Sequence, residues 1–290
     1  MHDNVVTSAP RANAPRSPHA NLASDLVTGL DFSNPGDQDP AYLTRRSQIA
    51  DVTLSYLEGR PVPTVDYTDL ENAVWSDVCA HVGPYHERIA CQAYRDGLAS
   101  LSFDRRRIPQ LAAMNQKLAE TTGFQMIPVL GFVTPRTFLS ALGRGIFLST
   151  QYVRHHSIPE FTPEPDVIHE LLGHGPALSN PVIAELNRRF GRAADRSSDA
   201  ALERLARVYW FTLEAGLVLE HGTVKVLGQA LLSSFKELEQ IERGITFLPF
   251  DLEVIAETDA APTKLQRRLF LAPSFEAMVR EVIVWIDAQS

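Results

Sequence analysis

The chain has 290 residues, 44% of them apolar, and carries 27 basic against 35 acidic side chains for a formal charge of -8. That is enough chain to bury one large core; no uninterrupted apolar run reaches membrane-spanning length, and the acidic balance disfavours a general nucleic-acid binder. Only two cysteines occur, Cys79 and Cys91, and they read as buried reduced thiols rather than a bridge, which points to a reducing, cytoplasmic setting.

Residues 1–22, rich in Ala, Pro, Ser, Asn and Arg, have no periodic apolar face and no signal-like apolar core, so a disordered tail is expected ahead of a single domain over 23–290. Helical periodicity then runs over Tyr42 to Leu57, Leu70 to Val82, Gln110 to Glu120, Pro135 to Phe147, Asp166 to Leu172, Pro181 to Phe190, Asp199 to Leu219 and Phe275 to Asp287. Pro135 and Pro181 suit helix starts. Extended candidates are shorter: Gln125 to Val133, Thr223 to Val226 after a turn at Gly222, and Thr246 to Pro249. The pattern is mostly α with minor β.

The chemistry concentrates in Thr162-Pro163-Glu164-Pro165-Asp166-Val167-Ile168-His169-Glu170-Leu171-Leu172-Gly173-His174, where two imidazoles and several carboxylates share one short segment. A third metal ligand is sought in Tyr209-Trp210-Phe211-Thr212-Leu213-Glu214, because a carboxylate ending an apolar run would be costly to bury without a cation. Two histidines and one carboxylate suit a non-haem Fe(II) oxygenase with open positions, or catalytic zinc. His169 and His174 are five apart, not four as in the common zinc-protease helix. At about 100° per residue they would point roughly 140° apart on an ideal α-helix, so the helix must widen or end near Gly173. The remaining histidines have bland readings: His81 and His86 as surface or capping residues, His155 and His156 as loop-shaping, His221 in a turn.

These residues resemble the pterin-dependent aromatic amino acid hydroxylases, the family acting on phenylalanine, tyrosine and tryptophan. The resemblance starts near Asp39-Pro40-Ala41-Tyr42 and continues through Gly59-Arg60-Pro61-Val62-Pro63 and Ile108-Pro109-Gln110-Leu111. It extends over Thr150-Gln151-Tyr152-Val153-Arg154-His155, the histidine segment, Tyr209-Trp210-Phe211-Thr212 and Leu231-Leu232-Ser233-Ser234-Phe235, covering roughly 25–288. It implies a catalytic domain with iron in a deep, helix-lined pocket, and Fe(II) held by His169, His174 and Glu214. It further implies a tetrahydropterin stacked on Phe138 and bordered by Val133, Glu170 and Tyr209. For the amino acid it implies Arg154 against the carboxylate, Thr162 and Ser233 as polar contacts, and Pro165 and Trp210 as walls of a flat apolar slot. The expected partners are small molecules, namely the aromatic amino acid, O2 and the pterin, with no nucleic acid, no membrane and a monomeric chain that lacks regulatory and tetramerisation segments.

Departures from the family pattern bear on the product. A family phenylalanine is replaced by Ala215, a family glycine by Ala230, and Pro135 and Arg144 stand for a serine and a phenylalanine. With one ring lost and one methyl gained, phenylalanine would be hydroxylated at the para position, giving tyrosine, or at the meta position; tryptophan and tyrosine are alternative substrates. A different class also fits the six residues His169 to His174, which match the zinc motif of the dipeptidyl peptidase III family, with Glu170 as general base. That family's second glutamate-rich motif is absent here.

Overall fold

The computed structural model describes residues 25–26 and 34–289; the expected tail over 1–22 lies outside the described residues. Helices dominate, and their ends are written in the sequence. Thr68 starts Asp69–Ile89 with a reciprocal capping box to Glu71. Asn180 caps Pro181–Ala194, and Ser198 caps Asp199–Tyr209. The Asp69–Ile89 helix passes through Pro84 and outruns the expected end at Val82, because Val78, Cys79, Val82 and His86 continue one buried face across the proline. Cys79 and Cys91 are both buried and unbridged, with burial pushing each thiol up to about 12.

Two small sheets complete the frame. Strands β1 (Gln125–Val129) and β2 (Ile146–Thr150) run parallel, joined by the Pro135–Gly143 helix. The expected helix over Pro135 to Phe147 therefore stops early: Gly145 turns the chain with φ 71°, and the following residues pair with β1. The second sheet has the order β4-β3-β6-β5, with β3 Leu217–Glu220, β4 Thr223–Val226, β5 Phe247–Pro249 and β6 Leu269–Ala272. Strands β3 and β4 form an antiparallel hairpin around His221 and Gly222, while β6 lies parallel to both β3 and β5. The expected helix over Asp199 to Leu219 accordingly divides into an α-helix to Tyr209, a π-helix over Trp210–Glu214, and β3.

The largest core cluster joins the Asp69–Ile89 and Pro181–Ala194 helices to the histidine segment, which occupies its interior. Among the described residues no helix is long and apolar enough to cross a membrane.

Candidate metal centre

His169–His174 is a π-helix, with every residue buried, leading directly into the Gly175–Ser179 α-helix. Its i→i+5 hydrogen bonding, seen from the Gly175 amide to the Glu170 carbonyl, is the widening that a five-residue spacing requires. The two imidazoles consequently meet, Nε2 to Nε2, at 3.0 Å. Gly173 has a separate reason to be glycine: a Cβ there would lie 2.7 Å from the Gln229 carbonyl oxygen, so the Gln229–Leu232 helix could not pack so closely. Glu214 ends the second π-helix, closed by the Ala215 amide on the Trp210 carbonyl at 2.7 Å. Its carboxylate lies 3.2 Å from His174 Nε2 and 3.9 Å from His169 Nε2.

These residues fit a metal ion. An ion about 2.1 Å from each ligand holds neighbouring ligand atoms roughly 3 Å apart, close to the separations here. Glu214 Oε2 is buried with no hydrogen-bond partner, and a cation would supply one. The Ser233 hydroxyl spends its proton on the Ala230 carbonyl at 3.1 Å, so its oxygen accepts Nδ1–H of His169 at 3.0 Å. That leaves the Nε2 lone pair of His169 facing Glu214. The His174 ring is fixed by Phe147, 4.4 Å away between centroids.

Glu170 is a rival third ligand, since a carboxylate oxygen of Glu170 and the two imidazoles fall within 4.8 Å of one another. Its Oε1, however, already accepts from the Thr150 amide and hydroxyl at 3.0 and 2.9 Å. Glu214 is the carboxylate with a buried, unpartnered oxygen. Without a cation, burial and the neighbouring imidazolium lower His169 to about 4, while burial raises Glu170 to about 7. Glu214 stays below its ordinary value; burial works to raise it, and His174 and His169 outweigh that.

A cavity of about 570 Å³ opens onto this cluster. Val133, Phe138, Glu170 and Tyr209 line one side, with the Phe138 ring packed edge-on against Tyr209 and Phe147. Thr162, Pro165, Trp210, Ala230 and Ser233 line another. Ala215 and Arg154 are the exceptions among the expected contact residues. Ala215 is fully buried in the core, and neither residue forms part of the cavity wall.

Arg154 is 3% exposed and pairs with Asp166 through Nε and Nη2 at 3.0 and 2.9 Å. Its Nη1 donates to the Pro159 and Ser233 carbonyls. Of the five guanidinium hydrogens one, on Nη2, is left for a carboxylate. Asp166 also accepts the His169 amide at 3.0 Å, so this ion pair aims the first imidazole. Asp166 was legible as a carboxylate three residues before a histidine at a helix start, a capping signal.

Glu237 and Gln266 also escaped the sequence reading. Gln266 holds the cavity-lining segment around Ala260 and Pro262 by donating to the Ala261 and Lys264 carbonyls and accepting from Trp210 Nε1. Its amide donates to Glu237, whose carboxyl burial raises to about 7. Between pH 4.5, its ordinary value, and 7 the folded state binds the extra proton, so this contribution to stability is full below 4.5 and is lost as pH rises through 7. The shift corresponds to about 3 kcal/mol. Urea titrations across this range should show Glu237→Gln removing that decline and gaining about 2–3 kcal/mol at pH 8; parallel pH profiles for variant and parent would exclude the assignment.

A family model described as biopterin-dependent aromatic amino acid hydroxylase matches residues 18–289. The tyrosine 3-monooxygenase of Drosophila melanogaster is 39% identical over 93% of this chain and 47% of its own length. The phenylalanine-4-hydroxylase of Rattus norvegicus is 37% identical over 94% and 61%, and the tryptophan 5-hydroxylase of Xenopus laevis 40% over 89% and 54%. The chain thus spans about half to three fifths of the length of these curated relatives. Among solved structures, Chromobacterium violaceum phenylalanine hydroxylase with bound iron(III) and 7,8-dihydrobiopterin superposes with a TM-score of 0.75 at 28% identity, covering 84% of this chain and 91% of that one.

Proposed function

Because the chain belongs to the biopterin-dependent aromatic amino acid hydroxylase family, we propose that it hydroxylates the ring of L-phenylalanine with O2, giving tyrosine or meta-tyrosine. Fe(II) and a tetrahydropterin, when bound, would supply the electrons and oxygen activation that insert one oxygen atom into the ring. His169, His174 and Glu214 would hold the iron. Val133, Phe138, Glu170 and Tyr209 would hold the pterin. The observation that carries this reading is the buried, partnerless Glu214 oxygen beside two converging imidazoles at the head of a large cavity.

The protein's own part is to bind, orient and exclude water. Phe138 offers a ring face or edge to a planar heterocycle. Pro165 and Trp210 would wall an aromatic ring, Thr162 and Ser233 would offer polar contacts, and Arg154, bonded to the Ser233 carbonyl just outside the cavity wall, would give its spare Nη2 hydrogen to the amino acid carboxylate. Ser233 keeps the His169 tautomer and thereby the ligand lone pair. Phenylalanine is preferred because its ring asks for no polar partner. Relatives divide among phenylalanine, tyrosine and tryptophan hydroxylases at 37–40% identity, which makes tryptophan the second reading, supported if Ala215 in place of the family phenylalanine enlarges the slot.

An aerobic assay of Fe(II)-loaded protein with tetrahydropterin and each amino acid in turn should give pterin-dependent gain of one oxygen on phenylalanine, identified by mass and retention time. No oxygen gained on any amino acid by iron-loaded protein would overturn the reading and direct attention to a zinc-loaded peptidase assay. For ring position, Ala215→Phe with Ala230→Gly restores the family bulk. The para-to-meta product ratio should move toward para by roughly tenfold, the effect of about 1.4 kcal/mol between two competing barriers. An identical ratio in parent and variant would show that these positions do not steer the ring.

A further inference from the structure

The π-helix that carries both histidine ligands, and the Gln229–Leu232 helix that leads into Ser233, are tied to one pair of side chains. His86, on the Asp69–Ile89 helix, and Tyr94, on the Gln92–Leu101 helix, are 3% and 0% exposed, and their rings meet edge-on at 5.0 Å. The Tyr94 hydroxyl donates to the Leu172 carbonyl at 2.7 Å, inside the His169–His174 π-helix. His86 Nε2 lies 2.7 Å from the Leu232 carbonyl, which can only accept, so Nε2 bears the proton. Burial keeps the ring neutral, lowering it to about 4.

Both carbonyls lack their α-helical donor for reasons visible in the chain. In α-helical bonding the Leu172 oxygen would be met by the amide of residue 176, and Pro176 has none. The Leu232 oxygen would be met by the Lys236 amide, which is turned to the Glu160 carbonyl at 3.3 Å. Each bond then bears on a ligand through its neighbours. Leu172 sits between the two histidines, and Leu232 precedes Ser233, whose hydroxyl sets the His169 tautomer and whose carbonyl receives Arg154.

We propose that His86 and Tyr94 are positioning residues of the metal centre: by holding Leu172 and Leu232 at a fixed separation, they set the mutual placement of the His169–His174 turn and of Ser233. This rests on the iron-binding reading above. Outer partners of metal ligands typically change metal affinity by about 10–100-fold, and this pair acts one bond further back on two ligands at once.

The test uses the whole chain with Co(II) as the probe, reading its ligand-field spectrum and its dissociation constant by chelator competition, with the thermal midpoint of the metal-free protein alongside. Tyr94→Phe, which removes one oxygen atom, and His86→Phe should each weaken Co(II) binding about tenfold and shift the spectrum. His86→Gln, which keeps an N–H at the end of its side chain, should recover most of both. Variants with a lower thermal midpoint but parental Co(II) affinity and spectrum would overturn the proposal, leaving the pair a purely structural role. Should His86→Phe not fold, Tyr94→Phe and His86→Gln decide it by the same readings. Failure of the parent itself to bind Co(II) or Fe(II) would instead refute the iron-binding reading.

Discussion

Replacing Arg154 by alanine is expected to destabilise the protein by about 3–5 kcal/mol, a large share of the roughly 5–15 kcal/mol that holds a typical domain folded. The cost comes from what is left behind. Asp166 is fully buried, and with Arg154 gone its carboxylate keeps two amide donors, from residues 154 and 169, but no counter-charge. Lysine should recover only part: one ammonium cannot span both carboxylate oxygens and also reach the Pro159 and Ser233 carbonyls. Urea denaturation should therefore rank the parent above Arg154→Lys and Arg154→Lys above Arg154→Ala. An alanine variant within about 1 kcal/mol of the parent would mean that the pair behaves like an exposed ion pair. Because Asp166 also holds the His169 amide, metal affinity should fall in the same order, and KM for the amino acid should rise in the lysine variant if the spare Nη2 hydrogen binds substrate.

The second large effect concerns the cluster itself. Loss of a residue that merely supports a metal ligand costs about 10–100-fold in affinity, so Glu214→Gln or His174→Ala should cost more than about 100-fold and bring hydroxylation to background. The metal-free variants should remain folded. Glu214→Gln keeps the size of the side chain and a hydrogen-bonding end within reach of His174 Nε2, which lies 3.2 Å from the carboxylate. Iron content after desalting, measured beside far-ultraviolet circular dichroism, separates loss of metal from loss of fold. Glu170→Gln is the control that could reverse the assignment. If it loses iron while Glu214→Gln retains a full equivalent, the third ligand is Glu170.

The histidine segment was readable because its chemistry is local: two imidazoles five residues apart, a carboxylate beside the first, and a spacing that demands a widened helix. Glu214 was readable for a different reason, as a charge in an apolar run. Helix starts at Leu70, Pro181 and Asp199 followed from apolar periodicity and from Pro181, and the structure begins these helices at Asp69, Pro181 and Asp199 behind the caps Thr68, Asn180 and Ser198. What failed was the largely apolar stretch from Trp210 to Leu219. Such a run has no period of its own, and only its partners, Val226 and Leu271 across from Leu217, make its end a strand. Strand β2 was hidden likewise, since Ile146 to Thr150 is defined by β1 and not by any alternation. His86 was misjudged as surface or capping because its partner, Leu232, is 146 residues away. Ala215 and Arg154 were expected at the amino acid and lie outside the cavity wall, because a motif position identifies a residue type but not the surface its side chain reaches.

The paired π-turns also bear on which mutations the chain can accept. A π-turn is an α-helix with one residue too many, so removing a single residue from His169–His174 or from Trp210–Glu214 would let the helix close into ordinary i→i+4 bonding. Most deletions inside buried helices rotate everything beyond them out of register. Here the deletion would regularise the helix, yet it would swing one imidazole or the Glu214 carboxylate about a quarter-turn away from its partners, by roughly 100°. Length variants at these two places would thus be selected against through chemistry rather than folding, and a library of single-residue deletions sorted first for soluble expression would retain inactive members clustered at 169–174 and 210–214.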